Sequence, residues 1–154
     1  MKSVIIFLMA STAFIWADES RVHKAVFDLS NGNPMVLKGR VAWNIRTISD
    51  NLKDQNKTLK SIVVISGDAY NFFIKDLKKS PYNTYDILDE QKLLEPILAK
   101  LQKDYDVTFQ MCSVGMQKRG IDGSTLYPYV EYEKNKTQYL IEAQNDGYAY
   151  IPIN

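Results

Sequence analysis

Cys112 is the only cysteine in the 154-residue chain, and its setting suits a reactive thiol. Val107, Phe109 and Met111 alternate with Thr108 and Gln110, the period of a strand, so Cys112 falls at or just past that strand's carboxyl end. In an open parallel sheet that end faces the crevice where ligands bind. The residues after Cys112 have helical character, and the unpaired N–H groups and positive dipole end of a helix's first turn favour thiolate over thiol. Lys118 and Arg119, one to two turns further on, add positive potential. The expected direction is a lowered pKa and a more reactive sulfur. The plainer reading of a lone cysteine among apolar neighbours is a small buried hydrophobe.

Other chemistries find little support. One histidine, His23, and one cysteine cannot make a structural zinc site. His23 belongs to the opposite end of the first strand from the crevice, which removes it as a base for Cys112. Ser66-Gly-Asp-Ala69 lacks the glycines of a dinucleotide-binding loop. No metal or cofactor is therefore expected. Asn56-Lys-Thr58 and Asn135-Lys-Thr137 fit the glycosylation acceptor pattern, which is common by chance.

The elements that must position Cys112 can be read in chain order. Val22 to Leu29 reads as a first strand, and Ser30-Asn-Gly-Asn-Pro34 as a turn with Pro34 in the first turn of a helix. Leu37, Val41, Ile45, Ile48 and Leu52 form a helical stripe that ends in the polar run Lys53–Lys57. Ser61 to Ile65 is apolar without alternation, as a strand covered on both faces should be. These elements form a β-α-β unit with a parallel sheet. The turn containing Gly67 then lies on the same sheet edge as Asn31 and Cys112, which makes Gly67 and Asn31 candidates to line the crevice.

A short helix is expected over Ala69 to Leu77, with Asp68 as its cap and Phe72 and Phe73 in the core. The three lysines between Lys75 and Ser80 read as a solvated face. Pro81 to Tyr85 is loop-like. The helix after it carries Leu94, Ile97, Leu98 and Leu101 on one face, with Pro96 expected either to kink it or to stand in its first turn. Beyond the cysteine strand, Val114 to Arg119 reads as a short helix ended by Gly120. Tyr127 to Glu133 reads as a strand, with Pro128 arguing for an edge or early position. Asn135 can cap a helix over Lys136 to Asn145, with Gly147 in the left-handed position after it, and Tyr148 to Ile153 is a last strand. Asn145-Asp-Gly147 also fits a hairpin turn following a strand at Tyr139–Glu142.

The first 17 residues have the layout of a signal peptide: Lys2, an uncharged apolar run from Val4 to Trp16, small residues, then Asp18 and Glu19. The run is short for a membrane span, which needs about 20 apolar residues. Cleavage after Ala13 or Ala17 is expected, leaving the protein periplasmic or secreted and without stable membrane insertion. Removing residues 1–17 takes one lysine and no acid from 19 basic and 18 acidic side chains, so the two signs balance. That balance argues against a nucleic-acid partner. The remaining residues, 18–154, suit one domain. One cysteine in an oxidising compartment has no internal disulfide partner.

The run Cys112-Ser-Val-Gly-Met116-Gln-Lys-Arg119-Gly120-Ile121 resembles the cysteine segment of the DsrE/DsrF-like family, small sulfur-relay domains that include YchN-like proteins. Leu140 to Ile151 is similar to that family's closing helix and strand. The resemblance implies a three-layer α/β/α domain with a mainly parallel five-stranded sheet. It implies a sulfur carrier that holds sulfane sulfur as a persulfide on Cys112 and passes it to a partner thiol. The N–H groups of Ser113 and Val114 would then stabilise the anion, with charge from Lys118 or Arg119. It also implies a trimer or hexamer and a donor or acceptor protein as partner. Some relatives carry two cysteines around this loop, and this chain has one. Tyr82 and Tyr85 fall where the family borders its cysteine crevice, though surface or subunit-interface packing is the better reading of them. A non-catalytic oligomeric binding module with a structural cysteine is the alternative.

Overall fold

The structure, a computed structural model, describes residues 21–153; the expected signal peptide, residues 1–17, lies outside them. Five parallel strands form one sheet in the order β4-β3-β2-β1-β5: β1 (Val22–Leu29), β2 (Thr58–Ile65), β3 (Thr108–Met111), β4 (Val130–Glu131) and β5 (Ala149–Ile153). Helices cover both faces, giving the three-layer α/β domain that the sequence implies.

The two faces are unequal. On one, Phe27 and Leu29 of β1, Val63 and Ile65 of β2 and Phe109 and Met111 of β3 pack against two long helices in the main core. Alternation along β1 and β2 sends Val26 and Val64 to the other face, where they meet Tyr139 and Ala143 of a single helix. Asp28 alternates with Val26, so this carboxylate lies on the thinly covered face, and it is only 8% exposed.

Helix α1 has three parts: Pro34–Val36, a π-helical stretch Leu37–Ala42, and Trp43–Lys53. Pro34 starts it as expected, and the Asn33 side chain caps it by accepting the Met35 N–H at 2.9 Å. Leu37, Val41, Ile45 and Leu52 are buried, but Ile48 is exposed. The wider π turn shifts the phase of the stripe and admits Ala42 to the core beside Val41.

Helix α2 (Tyr85–Asp104) begins well before Pro96, which sits in its interior and not in its first turn. Leu94, Leu98 and Leu101 bury its inner face, while Pro96 is on the exposed side, where a missing N–H is least costly. The expected helix Ala69–Leu77 is instead two 3₁₀ segments, Gly67–Phe73 and Leu77–Lys79. Phe72, Phe73 and Ile74 are all buried, and no α-helical face holds three consecutive residues. Asp68 does not cap this segment; the residue ahead of it is Ser66, in extended conformation.

The expected strand Tyr127–Glu133 contracts to Val130–Glu131. Tyr127 donates its N–H to Phe73 O (3.2 Å), and Pro128 has none to donate. Tyr127 and Tyr129 stack, ring centroids 5.4 Å apart, and Tyr129 also meets Phe109. Helix α3 (Ser113–Arg119) ends at Gly120 with φ 65, and α4 (Lys136–Asn145) is capped by Asn135, so Tyr139–Glu142 is helical and no hairpin forms.

Candidate functional site

Cys112 closes β3 and stands at the N-cap of α3. Its N–H donates to Ile65 O at 2.9 Å, extending the β2–β3 ladder one residue past Met111 and pinning the backbone. The residue is 9% exposed. Four neighbouring groups favour its ionised form: the N–H groups of Gly115 and Val114 in the first turn of α3, the N–H of Lys136 at the start of α4, and the dipole of the Tyr70 hydroxyl, whose own proton goes to Cys112 O. Burial, the largest single influence, pushes the thiol up. The four groups together outweigh it and hold Cys112 below the ordinary cysteine value, because each favours the thiolate over the thiol.

Two helices thus begin at one sulfur. Parallel strands make this possible: α3 follows β3 and α4 follows β4, so both start at the carboxyl edge of the sheet, β4 lying beside β3. The Ser113 N–H is not available to the sulfur. It donates to Lys134 O at 3.0 Å, tying α3 to the segment ahead of α4. Of the two N–H groups expected beside the anion, that of Val114 lowers the Cys112 pKa, as do those of Gly115 and Lys136, while that of Ser113 is taken by Lys134 O.

Tyr70, in the 3₁₀ segment after β2, donates its hydroxyl to Cys112 O at 3.0 Å and lies within reach of the thiol. Burial raises its pKa most, the neighbouring Cys112 raises it further, and Arg119 only partly offsets both. The phenol therefore keeps its proton and is a donor at all ordinary pH values. An α-carbon without a side chain lets it approach: a Cβ on Gly115 would overlap the Tyr70 hydroxyl.

Arg119 spans the crevice. Its guanidinium lies 5.1 Å from the Tyr70 ring centroid and 3.4 Å from Asp68 Oδ1. Tyr82 joins the group: burial raises its pKa, Arg119 lowers it and Asp68 raises it. This places Tyr82 at the crevice border. Lys118 is exposed in the last turn of α3, away from these contacts.

Asn31 and Gly67 hold the loops that frame the site. Asn31 Oδ1 accepts the Asn33 N–H at 2.8 Å, and Gly67, at φ 59, lets Asp68 donate its N–H to Ser30 O at 2.9 Å. A Cβ at Gly67 would lie 2.6 Å from Ser30 O, so these two loops close on each other. Sequence reasoning missed Tyr70, Gly115 and Lys136. Tyr70 directly follows the Gly67 turn on the correct sheet edge, the one signal that pointed to it.

Among the described residues no three His, Cys, Asp or Glu side chains gather into a metal site. A groove of about 420 Å³, lined by Ser113, Val114, Met116, Gln117, Ile121, Gly123 and Tyr132, runs beside α3. The arrangement can stabilise a sulfur anion without metal ligation, supply a proton donor next to it, and present one cation, Arg119, at its border.

Comparison with known proteins bears on the family and the fold. The DsrE/DsrF-like family matches residues 24–153. An uncharacterized protein of Aquifex aeolicus (strain VF5) is 28% identical over 153 residues, which is 99% of this chain and 64% of that protein. The chain thus spans less than two thirds of that relative's length. A protein of unknown function from Methanobacterium thermoautotrophicum has the same fold, with a TM-score of 0.58 at 21% identity over 84% of this chain and 98% of that one. The ychN protein from E. coli gives a TM-score of 0.46 at 16% identity, with the same coverage.

Proposed function

Because the chain belongs to the DsrE/DsrF-like family, for which a sulfur-relay type of role is suggested, we propose that Cys112 carries sulfane sulfur as a persulfide and hands it to a partner thiol. In the loading step the Cys112 thiolate attacks the terminal sulfur of a donor persulfide, R–S–SH. The new S–S bond forms as the old one breaks, and the electron pair leaves with R–S⁻. In the second step an acceptor thiolate takes the same terminal sulfur, and Cys112 leaves as thiolate. No net oxidation or reduction accompanies either transfer.

The single observation behind this reading is the placement of the Cys112 thiol among three backbone N–H groups and the Tyr70 hydroxyl. Such groups stabilise the attacking thiolate, and they stabilise it again as leaving group when the sulfur moves on. Arg119 at the border suits anionic donors such as polysulfide. On the same proposal the chain works after export, outside the cytoplasm, and as a homo-oligomer.

A second reading, a binding module whose cysteine only packs, draws on the low exposure of Cys112. Intact-mass spectrometry of the native protein after incubation with polysulfide separates the two. Sulfur-carrier function predicts a gain of one or more sulfur atoms, reversed by reductant and absent in Cys112→Ser. No gain, with a thiol that resists alkylation until the chain unfolds, would establish the packing role.

A further inference from the structure

Asp28 and Lys136 are each an odd choice for their local setting. Asp28 interrupts the apolar sequence Ala25-Val-Phe-Asp-Leu29 of a strand inside the sheet, and it is 8% exposed. Carboxylates are almost never that buried without a partner. Lys136 puts a positive charge on the first residue of α4, the end where the helix dipole favours a negative one. Neither residue is explained by its own element. Together they are: Lys136 Nζ lies 2.8 Å from Asp28 Oδ1, and Tyr150 of β5 donates its hydroxyl to Asp28 Oδ2 at 2.9 Å.

This ion pair joins the start of α4 to the centre of the sheet. The α4 face has a small buried apolar cluster, Val26, Val64, Tyr139 and Ala143, with Ile62, Leu140 and Tyr148 at its edge, and none of these is at the helix's first residue. The residue being held is two past Lys134, whose carbonyl takes the Ser113 N–H at 3.0 Å and so sets the start of α4 against the cysteine segment; its backbone N–H is one of the groups that lower the Cys112 pKa. We propose that Asp28 is a positioning residue for Cys112, acting through its ion pair with Lys136 to keep the first N–H of α4 on the sulfur. Two unfavourable local choices then serve one purpose, the arrangement in which local rules yield to a site. Tyr150 fixes the carboxylate's second oxygen and so the direction in which the first faces Lys136.

The role rests on Cys112 being the reacting group, and its test reads the thiol without reading sulfur transfer. The apparent pKa of Cys112 is obtained from the pH dependence of its alkylation by iodoacetamide in the folded protein, for wild type, Asp28→Asn, Lys136→Arg and the double variant Asp28→Asn with Lys136→Gln. Asp28→Asn keeps the shape and removes the carboxylate. Simple electrostatics predicts that removing a negative charge lowers a nearby thiol's pKa. Loss of positioning predicts the opposite, a rise of about one unit, because a donor to the thiolate is lost. Lys136→Arg, which keeps the pair, should hold the wild-type value.

The double variant leaves no unpaired buried charge, and it gives the reading should Asp28→Asn not fold. A rise in that variant supports positioning. An unchanged or lowered pKa in whichever of the two folds overturns it. If the raised pKa appears while the wild-type protein takes up no sulfur, the relay reading fails and the positioning role stands. If sulfur is taken up and the pKa does not rise, the reverse holds.

Discussion

The Tyr70 hydroxyl and the Cα of Gly115 are so close that a methyl group on the glycine would occupy the phenol's position. Tyr70 comes from the segment after β2 and Gly115 from the first turn of α3, and the contact brings both onto Cys112. Gly115→Ala therefore has an expected sign opposite to the usual one. In most helices this change stabilises by about 0.5–1 kcal/mol. Here overpacking should cost about 1–3 kcal/mol in thermal or urea unfolding, and iodoacetamide should react more slowly with Cys112 at pH 7. A stabilised variant with unchanged thiol chemistry would remove Tyr70 from the site.

Tyr70→Phe keeps the ring under Arg119 and deletes only the hydroxyl. Cys112 O then loses its partner at 3.0 Å, and the thiolate loses a neighbouring hydroxyl that lowers its pKa. The expected outcome is a loss of about 1–3 kcal/mol in stability and a rise in the thiol pKa, both readable on a single purified variant. Wild-type reactivity at pH 7 would limit Tyr70 to a packing role.

Stability should depend on pH through Cys112 itself. Its folded pKa is below the ordinary value of 9.0, so between the two the unfolded chain binds more protons than the folded one. Stability therefore rises with pH across that window, is complete above the ordinary value, and is lost as pH falls through the folded pKa. Urea unfolding of wild type and Cys112→Ser at a series of pH values checks this. The difference between the two should grow as pH rises, and parallel curves would contradict a lowered thiol pKa.

Arg119 contributes to function more than to stability. Its ion pair with Asp68 is solvent-screened, with the Asp68 side chain 86% exposed, so Arg119→Gln should change stability by less than about 1 kcal/mol. Loading of Cys112 from anionic polysulfide should slow severalfold, while alkylation by neutral iodoacetamide changes much less. Equal slowing of both reagents would show that Arg119 acts on the thiol through Tyr70 and not on the donor through its charge.

Much of the architecture is legible in the chain because it follows from short-range pattern. The alternation before Cys112, the unbroken apolar run of β2, and Asn33–Pro34 and Asn135 at helix starts each encode an element within a few residues. Parallel order follows from alternating strand and helix, and with it the placement of Cys112 on the crevice edge. The segments that departed from expectation are those whose backbone bonds go to distant partners. The expected helix is interrupted between the 3₁₀ segments Gly67–Phe73 and Leu77–Lys79, where Lys75 and Asp76 donate to Thr125 O, and the strand at Tyr127 shortens because its N–H goes to Phe73 and its ring to a stack.

The sequence alone determined that one cysteine stands at a strand end with a helix after it. Only the tertiary structure decided which groups reach that sulfur. Val114 and Gly115 are two and three residues from Cys112, but Tyr70 is separated from it by 42 residues and Lys136 comes from a helix after the next strand. Their meeting depends on strand order and register, which bring the ends of β2, β3 and β4 side by side. Ser113 illustrates the same limit: it is the nearest N–H in sequence, and folding assigned it to the Lys134 carbonyl instead. Hydrogen bonds go to whichever partners the packed elements place in reach, and no local pattern encodes that.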